Sequence, residues 1–195
     1  PNWGQTTHPI WLNARWEAFT ARFGHWTGQA SGKVASTLLV DGANGFASTW
    51  LADFLGQRGV ACREVSSPKG TLNEGCGAGD FSPTQTWTFD EAKASSHAML
   101  RQLEAAPAGQ LVGAALDGDG DRCLFVEATE TGFAVVDGDA MGAMLLQASA
   151  DRAWSFAASI ESDMGLFEAD DVRYKDARCG WSIVAINDCM RIEVC

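Results

Sequence analysis

VASTLLVDGANGFASTWLADFLGQRGVACREV, residues 34–65, decides the fold class. Val34 to Val40 is a short apolar run with β-branched members, which reads as a strand. It runs into Asp41-Gly42-Ala43-Asn44-Gly45, a turn rich in glycine. In the segment that follows, Phe46, Trp50, Leu51, Phe54 and Leu55 share one helical face, and Gly59 closes the helix. Val60 to Val65 reads as a second strand. Strand, turn, helix and strand in so short a stretch is a βαβ crossover, so the two strands are expected to lie parallel with a right-handed connection.

Working outward, residues 66–88 carry turn formers and few periodic apolar residues, and read as an ordered loop. Phe89 to Ala105 has helical spacing, with Asp90 as the expected N-cap. Leu111 to Leu116 is a strand of the buried type, Cys123 to Glu127 a second, and Phe133 to Val136 a third after a turn at Glu130 to Gly132. Asp137-Gly138-Asp139 is expected to cap the helix AMGAMLLQAS. On the other side, Trp11, Trp16, Phe19 and Phe23 suggest an amphipathic helix near 10–24, and Gly28, Ser31 and Gly32 read as a linker. After residue 150, Trp154 to Ile160 could form a strand, and no architecture is legible beyond it. The fold class is therefore α/β: a mixed sheet with a βαβ crossover and helices packed on it.

The chain has 195 residues, with 14 Lys+Arg against 25 Asp+Glu and a formal net charge of −11. That balance argues against a nucleic-acid partner, which needs positive charge to meet phosphates. It favours the eight Trp as core and interdomain contacts over a base-stacking platform. Hydrophobic residues are 46% of the chain, enough for a packed core. No apolar run approaches the roughly 18 residues that span a bilayer, so no membrane partner is expected. The N-terminus has no basic or apolar region of a signal peptide, and the missing initial Met suggests a processed chain or a fragment. Six cysteines at 62, 76, 123, 179, 189 and 195 form no CxxC pair, which fits reduced thiols in a cytoplasmic protein.

Asp117-Gly118-Asp119-Gly120-Asp121-Arg122 carries the chemistry. Three carboxylates at i, i+2 and i+4 follow a strand, with glycines between them. Such spacing can turn all three toward one point, where they repel one another unless a cation joins them. Oxygen-only ligands favour Mg²⁺, Ca²⁺ or Mn²⁺, and the C-terminal edge of an α/β sheet is where such folds place ligands. A solvated acidic turn is the plain alternative. An EF-hand loop starting at Asp117 fails, because Arg122 stands where Gly is required and Ala128 where a bidentate Glu is required. Arg122 could grip a phosphate bidentately or pair with a neighbouring aspartate. His8, His25 and His97 are scattered, and surface or packing roles are expected of them.

DGDGDR at 117–122, followed by hydrophobic strands and VVDGDAMGAML at 135–145, resembles the α-D-phosphohexomutases. VDGANG at 40–45 and KGTLNEGCGAGDF at 69–81 resemble the phosphoacetylglucosamine mutase branch in particular, and GQTTHPIWL at 4–12 is more weakly similar to it. The resemblance runs in order over about residues 4–147. It implies the second, metal-binding domain of such a mutase at residues 32–150. Residues 1–31 would be the end of a preceding catalytic domain with its linking helix, and residues 151–195 an incomplete or aberrant start of a third domain. It also implies interconversion of the 6- and 1-phosphates of N-acetylglucosamine, through a phosphoserine and Mg²⁺, for UDP-N-acetylglucosamine biosynthesis. Asp117, Asp119 and Asp121 would then be the metal ligands and Arg122 a phosphate contact. The partners implied are a phosphorylated amino sugar and the remaining mutase domains of a parent chain.

The family's nucleophile lies in a Ser-His-Asn-Pro type loop, which this chain lacks. Ser95-Ser96-His97 is followed by Ala98-Met99 and has helical spacing, so it is no substitute. The sugar-recognition and C-terminal phosphate loops of the family are also missing, so the chain alone is expected to be inactive. The alternatives are a phosphoglucomutase or phosphomannomutase of the same superfamily, or a noncatalytic divalent-cation-binding module. For Asn73 and for Cys76 to Asp80 a packing role is expected. The turn at 41–45 lacks the GxGxxG and P-loop patterns and reads as a tight strand-to-helix connection.

Overall fold

A computed structural model describes residues 8–27, 34–82, 84–141, 155–159, 181–186 and 189–194. The chain divides into two units, residues 1–33 and residues 34–195. In the first, helix α1 spans His8–Thr27, longer than its sequence pattern suggested. His8, Leu12, Trp16 and Thr20, one helical face, are half-buried, whereas Trp11 and Phe19 are exposed. Trp16 and Phe19 stack at 6.1 Å.

In the second unit β1 (Val34–Asp41) leads through a 3-10 turn (Phe46–Thr49) and α2 (Leu51–Gly56) to β2 (Cys62–Glu64). Then follow β3 (Thr86–Thr88), α3 (Phe89–Ala94), a 3-10 turn at Leu100–Gln102, β4 (Leu111–Leu116), β5 (Cys123–Ala128) and β6 (Gly132–Val136). These six strands form one sheet in the order β2-β1-β4-β5-β6-β3. β1 lies parallel to both β2 and β4, with Val40 opposite Glu64 on one side and Ala114 on the other. The pairs β4/β5, β5/β6 and β3/β6 are antiparallel. The expected mixed α/β sheet with its crossover is what the chain forms. Separately, β7 (Ser155–Ser159), β8 (Trp181–Ile186) and β9 (Cys189–Val194) make an antiparallel sheet in the order β7-β9-β8. The strand suspected at 154–160 is β7, and the tail that offered no architecture supplies the hairpin β8-β9.

The C-terminal half of β1, Leu38 to Asp41, is buried on both faces, as a parallel strand inside such a sheet must be. Leu39 joins Met99, Leu100, Val112, Ala115, Val126 and Phe133 on one side. Leu38 and Val40 join Ala114 on the other, under Leu51 and Leu55 of α2. Val112 and Ala115 sit an odd number of residues apart yet reach the same cluster. The register shift between Leu111 and Gly113 adds a residue to β4 and changes its phase.

Three local expectations are corrected. The helix after Gly45 is broken in two, because Trp50 has φ −147° and ψ −25°. The Ser48 and Thr49 hydroxyls bond back to the carbonyls of Gly45 and Phe46 at 2.7 Å each, the local competition that favours a turn over a helix. The helix foreseen over Phe89 to Ala105 ends at Ala94, and its cap is Thr88 rather than Asp90. Thr88 Oγ1 accepts from Glu91 N, and Glu91 reaches back to Thr88 N at 2.8 Å. Ser95 is extended at ψ 147°, which removes Ser95-Ser96-His97 from any helix. The loop foreseen over 66–88 contains β3, three residues whose pairing with β6 depends on long-range contacts. Residues 138–141 are helical, and the rest of the stretch expected to be a helix, AMGAMLLQAS, lies outside the described residues. Asp137 Oδ1 accepts from Ala140 N at 2.8 Å, the cap expected there.

Candidate metal centre

The carboxylate loop joins β4 to β5 at the end of the sheet where β1 and β4 terminate, and Leu116 and Cys123 pair across its base. Asp117 organises it. Its Oδ1 accepts from Gly120 N at 3.1 Å and from Arg122 N at 3.2 Å, and its own N–H donates to Arg122 O at 3.3 Å. Gly120 takes φ +77°, a conformation that favours glycine. One carboxylate oxygen from each of Asp117, Asp119 and Asp121 lies within 4.8 Å of the others. Asp117 is half-buried, while Asp119 and Asp121 are exposed.

Ligands about 2.1 Å from Mg²⁺ stand about 3 Å apart when adjacent and about 4.2 Å apart when opposite. The trio's oxygens, within 4.8 Å of one another, are grouped on that scale. All three donors are hard oxygens, so the set suits a hard divalent cation. The charges also register one another. Partial burial pushes the Asp117 carboxyl up, but hydrogen bonds from Arg122 N, Asp121 and Gly120 N, with the Arg122 charge, outweigh it and hold the pKa low. Asp121 is pushed up, first by the charge of Asp119, then by its hydrogen bond to Asp117 and the Asp117 charge. Mutual repulsion of this kind is what a bound cation relieves.

Arg122 lies over the trio. Its Nε is 3.2 Å from Asp117 Oδ2 and 3.7 Å from Asp121 Oδ1, and its side chain is 82% exposed. The aspartate pairing weighed from the sequence is thus present. The contacts run through Nε, and the side chain as a whole stays largely open to solvent.

The loop rests on a seat built from the two upstream segments. A Cβ at Gly45 would run into the carbonyl oxygen of Gly118, and one at Gly118 would stand 2.8 Å from Leu72 and 2.9 Å from Asn73. Asn73 donates its backbone N–H to Ala43 O at 3.0 Å. Asn44 ties the 41–45 turn to the 67–71 stretch, accepting from Ser67 N and donating to Thr71 O at 2.8 Å each. Ala43, Asn44 and Asn73 all have left-handed φ near +57°, and backbone strain of this kind gathers at functional sites. The buried packing role expected of Asn73 and of Cys76 to Asp80 holds for part of that set: Cys76, Gly77 and Ala78 are buried, with Gly77 facing Ala43 and Leu116 O, whereas Asn73, Gly79 and Asp80 are exposed.

Sequence reasoning did not anticipate the buried polar groups beneath. Asp41 and His97 are 0% and 4% exposed. Glu64 Oε1 gathers Gly42 N, Ser66 N and Ser66 Oγ at 3.0, 2.9 and 2.6 Å. A charged residue ending an apolar strand run was the one available signal.

Fold and loop together define a mixed α/β domain with a carboxylate loop at the edge of its sheet. The chain is 37% identical over 124 residues to the phosphoglucosamine mutase of Rhodococcus erythropolis (strain PR4 / NBRC 100887), a phosphohexomutase. The match covers 62% of this chain and 23% of that enzyme, so the chain spans less than a quarter of its relative's length. No protein-family model matches the chain, and no solved structure does.

Proposed function

We propose that this chain is the cation-binding part of a phosphohexomutase that moves phosphate between the 6- and 1-positions of an amino sugar. The observation that carries the reading is the convergence of Asp117, Asp119 and Asp121 at the sheet edge of a chain homologous to such an enzyme. On this reading those three aspartates hold Mg²⁺, which would polarise the phosphoryl group in transfer. Residues 32–150 are then the metal-binding domain, residues 1–31 the end of a preceding catalytic domain, and residues 151–195 the start of a third. The phosphoserine and the sugar-recognition loop come from parts of a longer protein.

The chain's own residues supply positioning and charge, which phosphoryl transfer needs more than covalent help. Asp117, fixed by two backbone N–H groups, sets the height of the site. Arg122, its side chain largely exposed, would receive a phosphate bidentately. The resemblance favours N-acetylglucosamine as the sugar, whereas the relative's name favours glucosamine.

A Mn²⁺ titration followed by electron paramagnetic resonance tests the metal assignment. Wild type should bind, and Asp119→Asn should bind at least about tenfold more weakly, the scale expected for losing one hard ligand. No binding, or equal binding by the variant, would overturn it. Calorimetric titration of the Mg²⁺-loaded chain with glucosamine 6-phosphate and N-acetylglucosamine 6-phosphate then ranks the two sugars. Binding that survives Arg122→Ala unchanged removes the phosphate role of Arg122.

A further inference from the structure

The carboxylate loop is held from below by groups the phosphoryl chemistry never touches. His97 is 4% exposed and belongs to no helix or strand. Its Nδ1 accepts from Met99 N at 3.2 Å, so the ring proton sits on Nε2, which donates to Gly77 O at 3.0 Å. The ring packs against Phe81 at 4.6 Å. Asp41 Oδ2, fully buried and without a hydrogen-bond partner among the described residues, lies 3.9 Å from Nε2. Asp41 Oδ1 accepts from Ala43 N at 2.9 Å and so shapes the left-handed turn. A second bond, from Ala98 N to Gly75 O at 2.7 Å, fastens the same two segments.

From His97 a short packed path leads to the site. Gly77 lies against Ala43 and the carbonyl of Leu116, the residue before Asp117, and Gly45 lies against Gly118. We propose that His97 is a positioning residue: through Gly77 and Asp41 it holds the seat of the 117–122 loop and thereby sets that loop's affinity for a divalent cation. The affinity half of this inference rests on the cation reading above. The positioning half does not. Ser95, extended at the end of α3, exists in that conformation to let the chain turn His97 inward, and its Oγ accepts from His97 N at 3.0 Å. A loosened seat leaves three like charges free to separate, so the cation must first reassemble them.

Amide hydrogen exchange at Gly118 and Gly120 and Mn²⁺ titration, both on the 195-residue chain, test this. His97→Leu, which fills the space and makes neither bond, should speed exchange at both glycines and weaken Mn²⁺ binding about tenfold, as losses behind a metal ligand do. His97→Gln, which can still reach the Gly77 carbonyl, should stay near wild type. Leu55→Ala serves as control, a truncation in the separate cluster around Leu38, Val40 and Ala114 that lowers melting temperature while leaving exchange and affinity unchanged. Should His97→Leu not fold, the same contrast is read between His97→Gln and His97→Asn, which is too short to reach Gly77. Equal exchange and affinity in all variants, or an equal effect of Leu55→Ala, would overturn the inference. If wild type binds no Mn²⁺, the cation reading fails, and the exchange rates alone decide whether His97 positions the loop.

Discussion

Arg122 illustrates how one side chain can hold two opposed tasks. In the structure its Nε pairs with Asp117 and Asp121, so it would compete with any cation for the same oxygens, while on the proposed reading its guanidinium also meets phosphate. Arg122→Ala is therefore expected to tighten Mn²⁺ binding and weaken phosphate binding, a split read by titrating each ligand separately. The motif and its spacing were legible in the sequence because three aspartates at i, i+2 and i+4 are a local pattern. The thiols were not, since burial depends on what folds over them. Burial pushes Cys123 up to about 11, and burial with the charges of Asp41 and Asp80 does the same for Cys76. Two units above an ordinary thiol leaves about a hundredfold less thiolate at pH 7.5. Iodoacetamide should accordingly label peptides containing Cys76 and Cys123 far more slowly in the native chain than after denaturation.

Elements were recognised where a period was long and failed where it was short. β1, β4 and β5 announce themselves as apolar runs, whereas β3 is three residues whose strand state exists only because Gly132 and Phe133 of β6 pair with it. α3 shows the same limit. Its apolar spacing continues past Ala94, but the buried contact of His97 with Gly77 outweighs helical propensity. The capping box of α3 has a pH signature. The backbone N–H of Thr88, and then its hydroxyl, hold the Glu91 carboxyl below its usual value. A depressed pKa adds stability that is complete above the unfolded value, about 4.3, and is lost as pH falls through the folded value beneath it. Glu91→Gln should therefore remove part of the acid sensitivity of unfolding below about pH 4.5, measured by denaturation at a series of pH values. Phe133, 2% exposed and edge-on to Phe89 at 5.3 Å, anchors the core. Phe133→Ala should cost about 3–5 kcal/mol in urea unfolding.

For the molecule as a whole, the balance of −11 makes the carboxylate loop part of a broadly negative field. Cation affinity should fall as salt is raised from low to physiological strength, since screening weakens the attraction of exposed charges. The chain holds neither the nucleophile loop nor the sugar loop of the resembled family, so no isomerisation of hexosamine phosphates is expected from it alone; clear turnover in a coupled assay would refute this. No described helix is long and apolar enough to cross a membrane. The sequence by itself determined the α/β class, the crossover and the acidic loop, because each is written in neighbouring residues as periodicity, turn chemistry or ligand spacing. Tertiary structure alone decided that segments 40–45, 69–81 and 117–122 form one body. Their contacts are close backbone approaches and buried hydrogen bonds between residues distant in the chain, from Gly45 on Gly118 to His97 on Gly77, and pairings of that kind leave no local pattern to read.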